Sequence, residues 1–336
     1  MDNFLRTPAS ERLAIFSEAG SRLGMNITLV EKDFWVCWIL KHLFSDQELF
    51  ENMVFKGGTS LSKSYSLIDR FSEDCDLTIN RQILNVKDPG EAGISGNELQ
   101  RRIEVLMLAI KAYIRDFILP ILENKCKDSL KSNERWKLEI DQDNLTILFT
   151  YPTADTTDNR YVKRVIRLEF GARGGTFPKK NTVITPYIDD CIPDLLLEET
   201  ALIPTLLPER TFWEKITILH GMYHRRLKGK EIAARMSRHY YDVYMLIKRG
   251  VDKNAMLDLA CLDDVTKNNI VFFKDNNASQ NTAKLGSFCL VPNAEMLEDL
   301  HQDYQNMEVM ILGEAPSFEV IMRTIKQLEM KLNQPD

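Results

Sequence analysis

The stretch Met53–Ile79 constrains this chain more than any other. Met53-Val54-Phe55 is a short apolar run that enters Gly57-Gly58, and Thr59 opens a helix predicted to run to about Leu67. The apolar-alternating run Cys75–Ile79 follows, with Asp74 and Asp76 at its mouth. Residues two apart in a strand point to one face, roughly 6 to 7 Å apart. Asp74, Asp76 and Thr78 therefore share a face, and Cys75, Leu77 and Ile79 share the core-facing other. Two carboxylates so placed can hold a hard divalent cation or bracket a pair of them, as phosphoryl-transfer chemistry requires. A turn without side chains at a helix start lets backbone N–H groups approach a phosphate closely, helped by the helix dipole. Each piece also has a plainer reading: Gly57-Gly58 as a strand-to-helix turn, Asp74 and Asp76 as a solvated strand end. The ordered combination is the informative signal.

The rest of the chain predicts an α+β protein with two parts. Residues 1–200 carry a mixed sheet flanked by helices, and residues 201–336 form a mainly helical domain packed against it. Thr28-Leu-Val-Glu31 reads as a capping box opening a helix through Trp35, Trp38 and Leu43, where Glu31 and Asp33 suit the helix dipole. Asn97 to about Asn124 reads as one long helix with Leu99, Ile103, Leu106, Ile110, Ile114 and Phe117 on one side. Strands are expected at Trp136–Ile140, Leu145–Phe149 and Val162–Phe170, with a loop over Pro152–Asn159. In the third strand Val165, Arg167 and Glu169 share a face. Glu169 is then a candidate third metal ligand, or a partner of Arg167 or Arg173. From Pro208 the chain turns helical, with breaks expected at Gly221–Gly229 and near Asn276–Gly286.

Charge and cysteine usage narrow the class. A net charge of −6 argues against a surface coated in basic groups for nucleic acid. Between Glu209 and Arg249, however, ten Lys/Arg stand against four acids, a local +6. A second basic cluster holds Arg160, Lys163, Arg164, Arg167, Arg173, Lys179 and Lys180. Such runs are either solvated faces or docking sites. The six cysteines are scattered without a CxxC pair, which reads as reduced thiols of a cytoplasmic protein. No run of eighteen apolar residues suggests a membrane span, and Met1-Asp-Asn-Phe lacks the regions of a secretory signal.

On the helix from Pro208, Trp213, Ile216, Thr217 and His220 form a core stripe, while Lys215 lies off it. On the helix carrying Arg238-His-Tyr-Tyr-Asp242, Arg238 and Asp242 are i, i+4 neighbours able to pair. Taken together, Lys56-Gly-Gly-Thr-Ser-Leu-Ser-Lys63, Arg70-Phe-Ser-Glu-Asp-Cys-Asp-Leu77, Glu209-Arg-Thr-Phe-Trp-Glu-Lys215 and Arg238-His-Tyr-Tyr-Asp-Val-Tyr244 resemble the AbiEii/AbiGii-type nucleotidyltransferase toxins of type IV toxin–antitoxin and abortive-infection systems. Glu31-Lys-Asp-Phe-Trp-Val and the stretch Leu290–Phe318 extend the resemblance over nearly the whole chain.

The resemblance implies a DNA polymerase beta-like nucleotidyltransferase fold and an enzyme moving NMP from NTP to an acceptor. In that family the acceptor is a tRNA 3′ end for some members, and a cognate antitoxin neutralises the toxin. Ser72, Asp74 and Asp76 match its nucleotide- and metal-binding motif, Lys215 its third-motif lysine, and Asp242 its fourth-motif aspartate. On the residues' own chemistry, Asp74 and Asp76 would hold Mg²⁺, or Mn²⁺. Gly57, Gly58, Thr59 and Ser60, flanked by Lys56 and Lys63, would cradle phosphate. Lys215 would offset charge on the transferred group. Asp242 is either a base or a positioner of Lys215. Arg225, Arg226 and Arg238 are candidate acceptor contacts. A protein acceptor, or a non-catalytic nucleotide-binding module, remains as the alternative.

Overall fold

Seven short strands build one mixed sheet. The strands are β1 (Met53–Lys56), β2 (Asp74–Ile79), β3 (Lys137–Ile140), β4 (Thr146–Thr150), β5 (Val165–Gly171), β6 (Lys179–Ile184) and β7 (Ala201–Leu206), in the order β3-β4-β5-β2-β1-β7-β6. The pairs β2–β5 and β1–β7 are parallel and the others antiparallel. The structure, a computed structural model, describes residues 1–131, 135–154, 163–192, 195–196 and 200–334. Val162, expected to start the third strand, Arg160 of the basic cluster and residues 155–159 of the expected loop lie outside the described residues.

Two strands were not anticipated from the sequence. Lys179-Lys-Asn at the start of β6 is polar because β6 is an edge strand, the position where charge is tolerated and discourages further pairing. Pro204 lies inside β7, where proline normally argues against a strand. It fits because β7 is registered with β1 through a single pair, Phe55 with Thr205, while its longer ladder runs to β6. The chain clusters into two units, each an α+β or helical assembly in its own right. One holds Met1–Ser64, Phe71–Asp88 and Gln100–Leu206; the other holds Tyr65–Arg70, Pro89–Leu99 and Leu207–Asp336. The expected long helix is present as Gly96–Tyr113, a π turn at Ile114–Ile118 and Leu119–Ser129. Pro120 explains the π turn before it, because its ring crowds the carbonyl four residues back and it has no N–H to return.

The helix Ala9–Leu23 is α1 and the helix Ile27–Leu43 is α2. In α2, fourteen of seventeen residues are buried, so it has no polar face to give to solvent. Trp35 and Trp38 both lie against Phe149 of β4, with ring centroids 5.9 and 5.8 Å away. The capping-box expectation is corrected: Asn26 is the cap, its side chain accepting from the Thr28 N–H at 2.8 Å. Glu31, Lys32 and Asp33 are not dipole-facing surface charges either. Glu31 accepts from the Thr153 hydroxyl and the Ala154 N–H, both at 2.6 Å. Lys32 donates to Glu73 at 2.6 Å and to the Lys163 carbonyl at 2.9 Å. Asp33 pairs with Lys63 at 2.8 Å and accepts from the Tyr187 N–H at 2.7 Å. At 3.6 residues per turn, three consecutive side chains fan around the helix and reach three different segments.

In the other unit, α4 (Pro208–Leu227) runs unbroken through Gly221, where the sequence suggested an interruption. The glycine is there for space: a Cβ would lie 2.9 Å from the Gln280 amide nitrogen and 3.3 Å from the Ala278 side chain. One residue earlier His220 accepts from the Cys289 N–H through Nδ1 at 3.2 Å, and its Nε2 faces the Thr282 hydroxyl at 3.0 Å. Burial, with His224 adding to it, lowers its pKa to about 4, so it is neutral. His220, His224 and Cys289 bring ligand-type atoms within 4.8 Å of one another, but both His220 nitrogens are already engaged. Among the described residues, no helix is long and apolar enough to cross a membrane.

Removing one half of a buried ion pair costs about 3–5 kcal/mol, whereas replacing both halves by apolar groups is often near neutral. Asp33→Ala is therefore expected to lower the urea midpoint sharply, and Asp33→Ala with Lys63→Met to recover much of the loss. A double variant no more stable than the single one would count against Lys63 charge burial as the cause.

Candidate active site

The Gly57–Lys63 helix, α3, starts directly at the end of β1, without an intervening loop. Gly57 has φ +76°, a region that L side chains avoid, and a Cβ there would lie 1.9 Å from Asp76 Oδ2. Glycine at 57 and the carboxylate at 76 thus occupy complementary space. Lys56 is registered opposite Asp76 in the antiparallel β1–β2 ladder, which puts the two on one face. Thr59 and Ser60 are buried, and their hydroxyls are committed inward. The Thr59 hydroxyl donates to the Asp74 carbonyl and lies 2.9 Å from the Ser72 hydroxyl. Ser60 donates to the Gly57 carbonyl at 2.9 Å. These side chains therefore tie the glycine turn to the aspartate strand, and the two hydroxyls expected to cradle phosphate face inward instead. Lys63 also differs from the expectation. It is buried in its pair with Asp33, with its ammonium 3.7 Å from the Tyr187 ring centroid. Burial opposes its charge, yet Asp33 holds its pKa above the ordinary lysine value.

Asp74 and Asp76 are half-exposed on β2, while Cys75 and Leu77 between and after them are buried. Cys75 is an inert thiol, because burial and the two flanking aspartates push its pKa well up. Glu169 is registered with Asp76 across the parallel β2–β5 pair, as its expected place on the same sheet face requires. Its carboxylate is drawn to Arg167 at 3.1 Å, and Arg167 also reaches Asp141 at 3.1 Å. Among the described residues, Asp74, Asp76 and Glu169 do not form a set with all ligand oxygens within 4.8 Å. Asp74 and Asp76 offer the hard oxygen donors that Mg²⁺ prefers, whereas Glu169 must leave Arg167 before it could join them.

In the other unit, Lys215 lies on α4 and Asp242 on α5 (Ser237–Lys248). Asp242 is wholly buried and accepts from Arg70 at both oxygens, at 2.7 and 2.8 Å, and from Lys215 at 2.8 Å. Arg238, its sequence neighbour one turn back, is not the partner that it meets. Burial alone would raise the Asp242 pKa, but Arg70 and Lys215 outweigh it and hold the carboxyl well below the usual range. His239 beside them is kept neutral by burial, with Lys215 and Arg238 adding to the effect. Arg70 is the residue that sequence reasoning left without a role. Its signal was an arginine set between Ile68 and Phe71, both buried.

The basic run 209–249 loses much of its free charge in the fold. Arg225 pairs with Asp275 at 2.6 Å, Arg210 with Asp264 at 2.7 Å, and Arg226 lies 3.6 and 3.7 Å from Glu295 and Asp299. Lys228 donates to the Asn276 carbonyl at 2.6 Å. These acids stand outside the sequence window, so the local count overstates the available positive charge.

A family model described as nucleotidyl transferase AbiEii toxin, type IV toxin–antitoxin system, matches residues 38–326. The fold is similar to that of MenT4, a nucleotidyltransferase toxin from Mycobacterium tuberculosis H37Rv, with a TM-score of 0.53 and 14% identity. That likeness covers 97% of this chain and 90% of MenT4. No curated protein sequence matches.

A carboxyl depressed in the folded state stabilises fully above its unfolded pKa of about 4 and loses that contribution as pH falls towards the folded value. Stability is therefore expected to hold from neutrality to about pH 5 and to fall below it, with Asp242 contributing. Asp242→Asn should lower the neutral-pH denaturant midpoint and flatten the acid limb. An acid limb unchanged by the substitution would assign it to other carboxylates.

Proposed function

The chain belongs to the AbiEii nucleotidyltransferase toxin family, and we propose that it transfers NMP from an NTP to the 3′ end of a tRNA until a cognate antitoxin neutralises it. The observation that carries this reading is the interlock of Gly57 with Asp76, which sets a side-chain-free turn against a carboxylate pair. A divalent cation, when bound, supplies charge neutralisation on the triphosphate and leaving group. Asp74 and Asp76 would hold it, with their strand mouth fixed by the Thr59 contact to the Asp74 carbonyl. Backbone N–H groups at Gly57 and Gly58 face the phosphates, and Lys56 lies on the Asp76 face. Ser72 supports the turn through Thr59. Glu169 and Lys63 serve as positioning residues through Arg167 and Asp33.

Lys215 offsets charge developing on the transferred phosphoryl group. Asp242 positions Lys215 rather than acting as a base. A buried carboxylate with both oxygens occupied by cations, and its pKa depressed, has little basicity to offer. The pairing of Arg225 and Arg226 weakens the case for them as acceptor contacts and leaves a protein side chain as a second acceptor reading.

Incubation of the purified protein with each labelled NTP, Mg²⁺ and total cellular RNA tests the proposal. Label is expected in tRNA; label on protein supports the second reading, and no label anywhere would sink both. Asp76→Asn should reduce transfer by roughly 10² or more with the fold retained, and activity within about tenfold of the parent protein would remove the aspartates from the mechanism. Lys215→Ala should lower the single-turnover rate at saturating NTP by roughly 10² while NTP affinity changes less. Lys215→Arg should rescue poorly, because a planar fork does not replace a compact ammonium.

A further inference from the structure

The strongest unassigned feature is a cavity of about 640 Å³ in the sheet-bearing unit, between the start of α1, the end of β4 and the start of β5. Arg12, Lys131, Arg135 and Arg164 line it, together with Thr150 and Thr153, and none of its described lining residues is acidic. Four cations around one concavity, in a chain of net charge −6, suit an anion, and Lys131 also donates to the Arg6 carbonyl at 2.9 Å. The cations are not alike. Arg12 is buried and held by the Leu5 and Thr7 carbonyls at 2.6 and 3.3 Å, so its guanidinium is pre-oriented at the wall. Lys131 and Arg135 are exposed at the mouth.

Two connections link this cavity to the aspartate strand. Thr150 is registered with Val165 at the start of β5, and Arg167 two residues later is registered with Asp74. Two strand spacings separate β4 from β2, about 10 Å. Glu31 grips Thr153 at the cavity wall, while its neighbour Lys32 grips Glu73, adjacent to Asp74. One helical turn of α2 thus fixes the cavity and the carboxylates together.

We propose that this cavity binds the sugar–phosphate backbone of the acceptor RNA, close to the end that receives the nucleotide. The inference rests on the reading of RNA as acceptor and names the surface that holds it. The cavity recognises phosphate rather than base: its aromatic residue, Tyr151, is buried against Trp35 with rings 5.7 Å apart and is not presented for stacking. Recognition is therefore independent of sequence and sensitive to salt.

The test is equilibrium binding, separate from turnover. Anisotropy of a fluorescein-labelled single-stranded oligoribonucleotide is followed against salt, without NTP, for the parent protein and for Lys131→Gln with Arg135→Gln. Both residues are exposed, so the fold should persist, and thermal melting checks this. Loss of two phosphate contacts should weaken binding about tenfold or more and reduce the log–log salt slope by about 1.4. NTP affinity should be unchanged, and Lys131→Arg with Arg135→Lys should bind like the parent. Unchanged RNA affinity and slope would overturn the inference, even if the parent protein labels RNA. A fall in NTP affinity with RNA binding intact would also overturn it, because the cavity would then belong to the nucleotide. Transfer of label to protein with no RNA binding would overturn the inference and the RNA-acceptor reading together.

Discussion

Three adjacent buried charges, Glu31, Lys32 and Asp33, are the constraint on which the sheet-bearing unit depends. A helix buried on nearly all sides can carry charges only if each finds a partner, because an uncompensated buried ion costs several kcal/mol. Each does, and the partners are not on the helix. Glu31 fixes 153–154, Lys32 fixes Glu73 and the 163 carbonyl, and Asp33 fixes Lys63 and Tyr187. The segments so held include the end of α3, the approach to β2 and the approach to β5. Irregular backbone is therefore fixed by directional, charge-assisted bonds, which the non-directional hydrophobic contacts of Trp35 and Trp38 could not supply.

The other unit solves a similar problem with one carboxylate and two cations. Asp242 binds Arg70 in a bidentate fork and Lys215 as a point charge. The cluster carries a surplus of positive charge, and His239, kept neutral, does not add to it. A lysine held in this way keeps one orientation. The role proposed for Lys215 would benefit from this arrangement, since a preorganised cation needs no rearrangement at the moment of reaction.

Much of the site was legible because its signals are local. The β1–Gly57–α3–β2 order, the shared face of Asp74 and Asp76, and the core stripe through Trp213, Ile216 and His220 all follow from periodicities of two and 3.6. What escaped depends on residues far apart in the chain. Glu31 and Asp33 look like first-turn acids because Thr153 and Tyr187 lie 122 and 154 positions away. The cations at 210, 225 and 226 look free because their acids at 264, 275, 295 and 299 follow later. The strand β7 was hidden by Pro204, whose meaning depends on how few ladder bonds β1 offers it. Periodicity reports one element's faces; it does not report which distant group meets them.

The shared space of residues 57 and 76 has a genetic consequence. Any glycine codon becomes an alanine codon by one base change, and the added methyl would meet the Asp76 carboxylate directly. A compensating change at 76 to a smaller residue would relieve the clash only by removing the carboxylate. On the role proposed for Asp76, position 57 is thus a one-step route to lost transfer that a second change at 76 does not reverse.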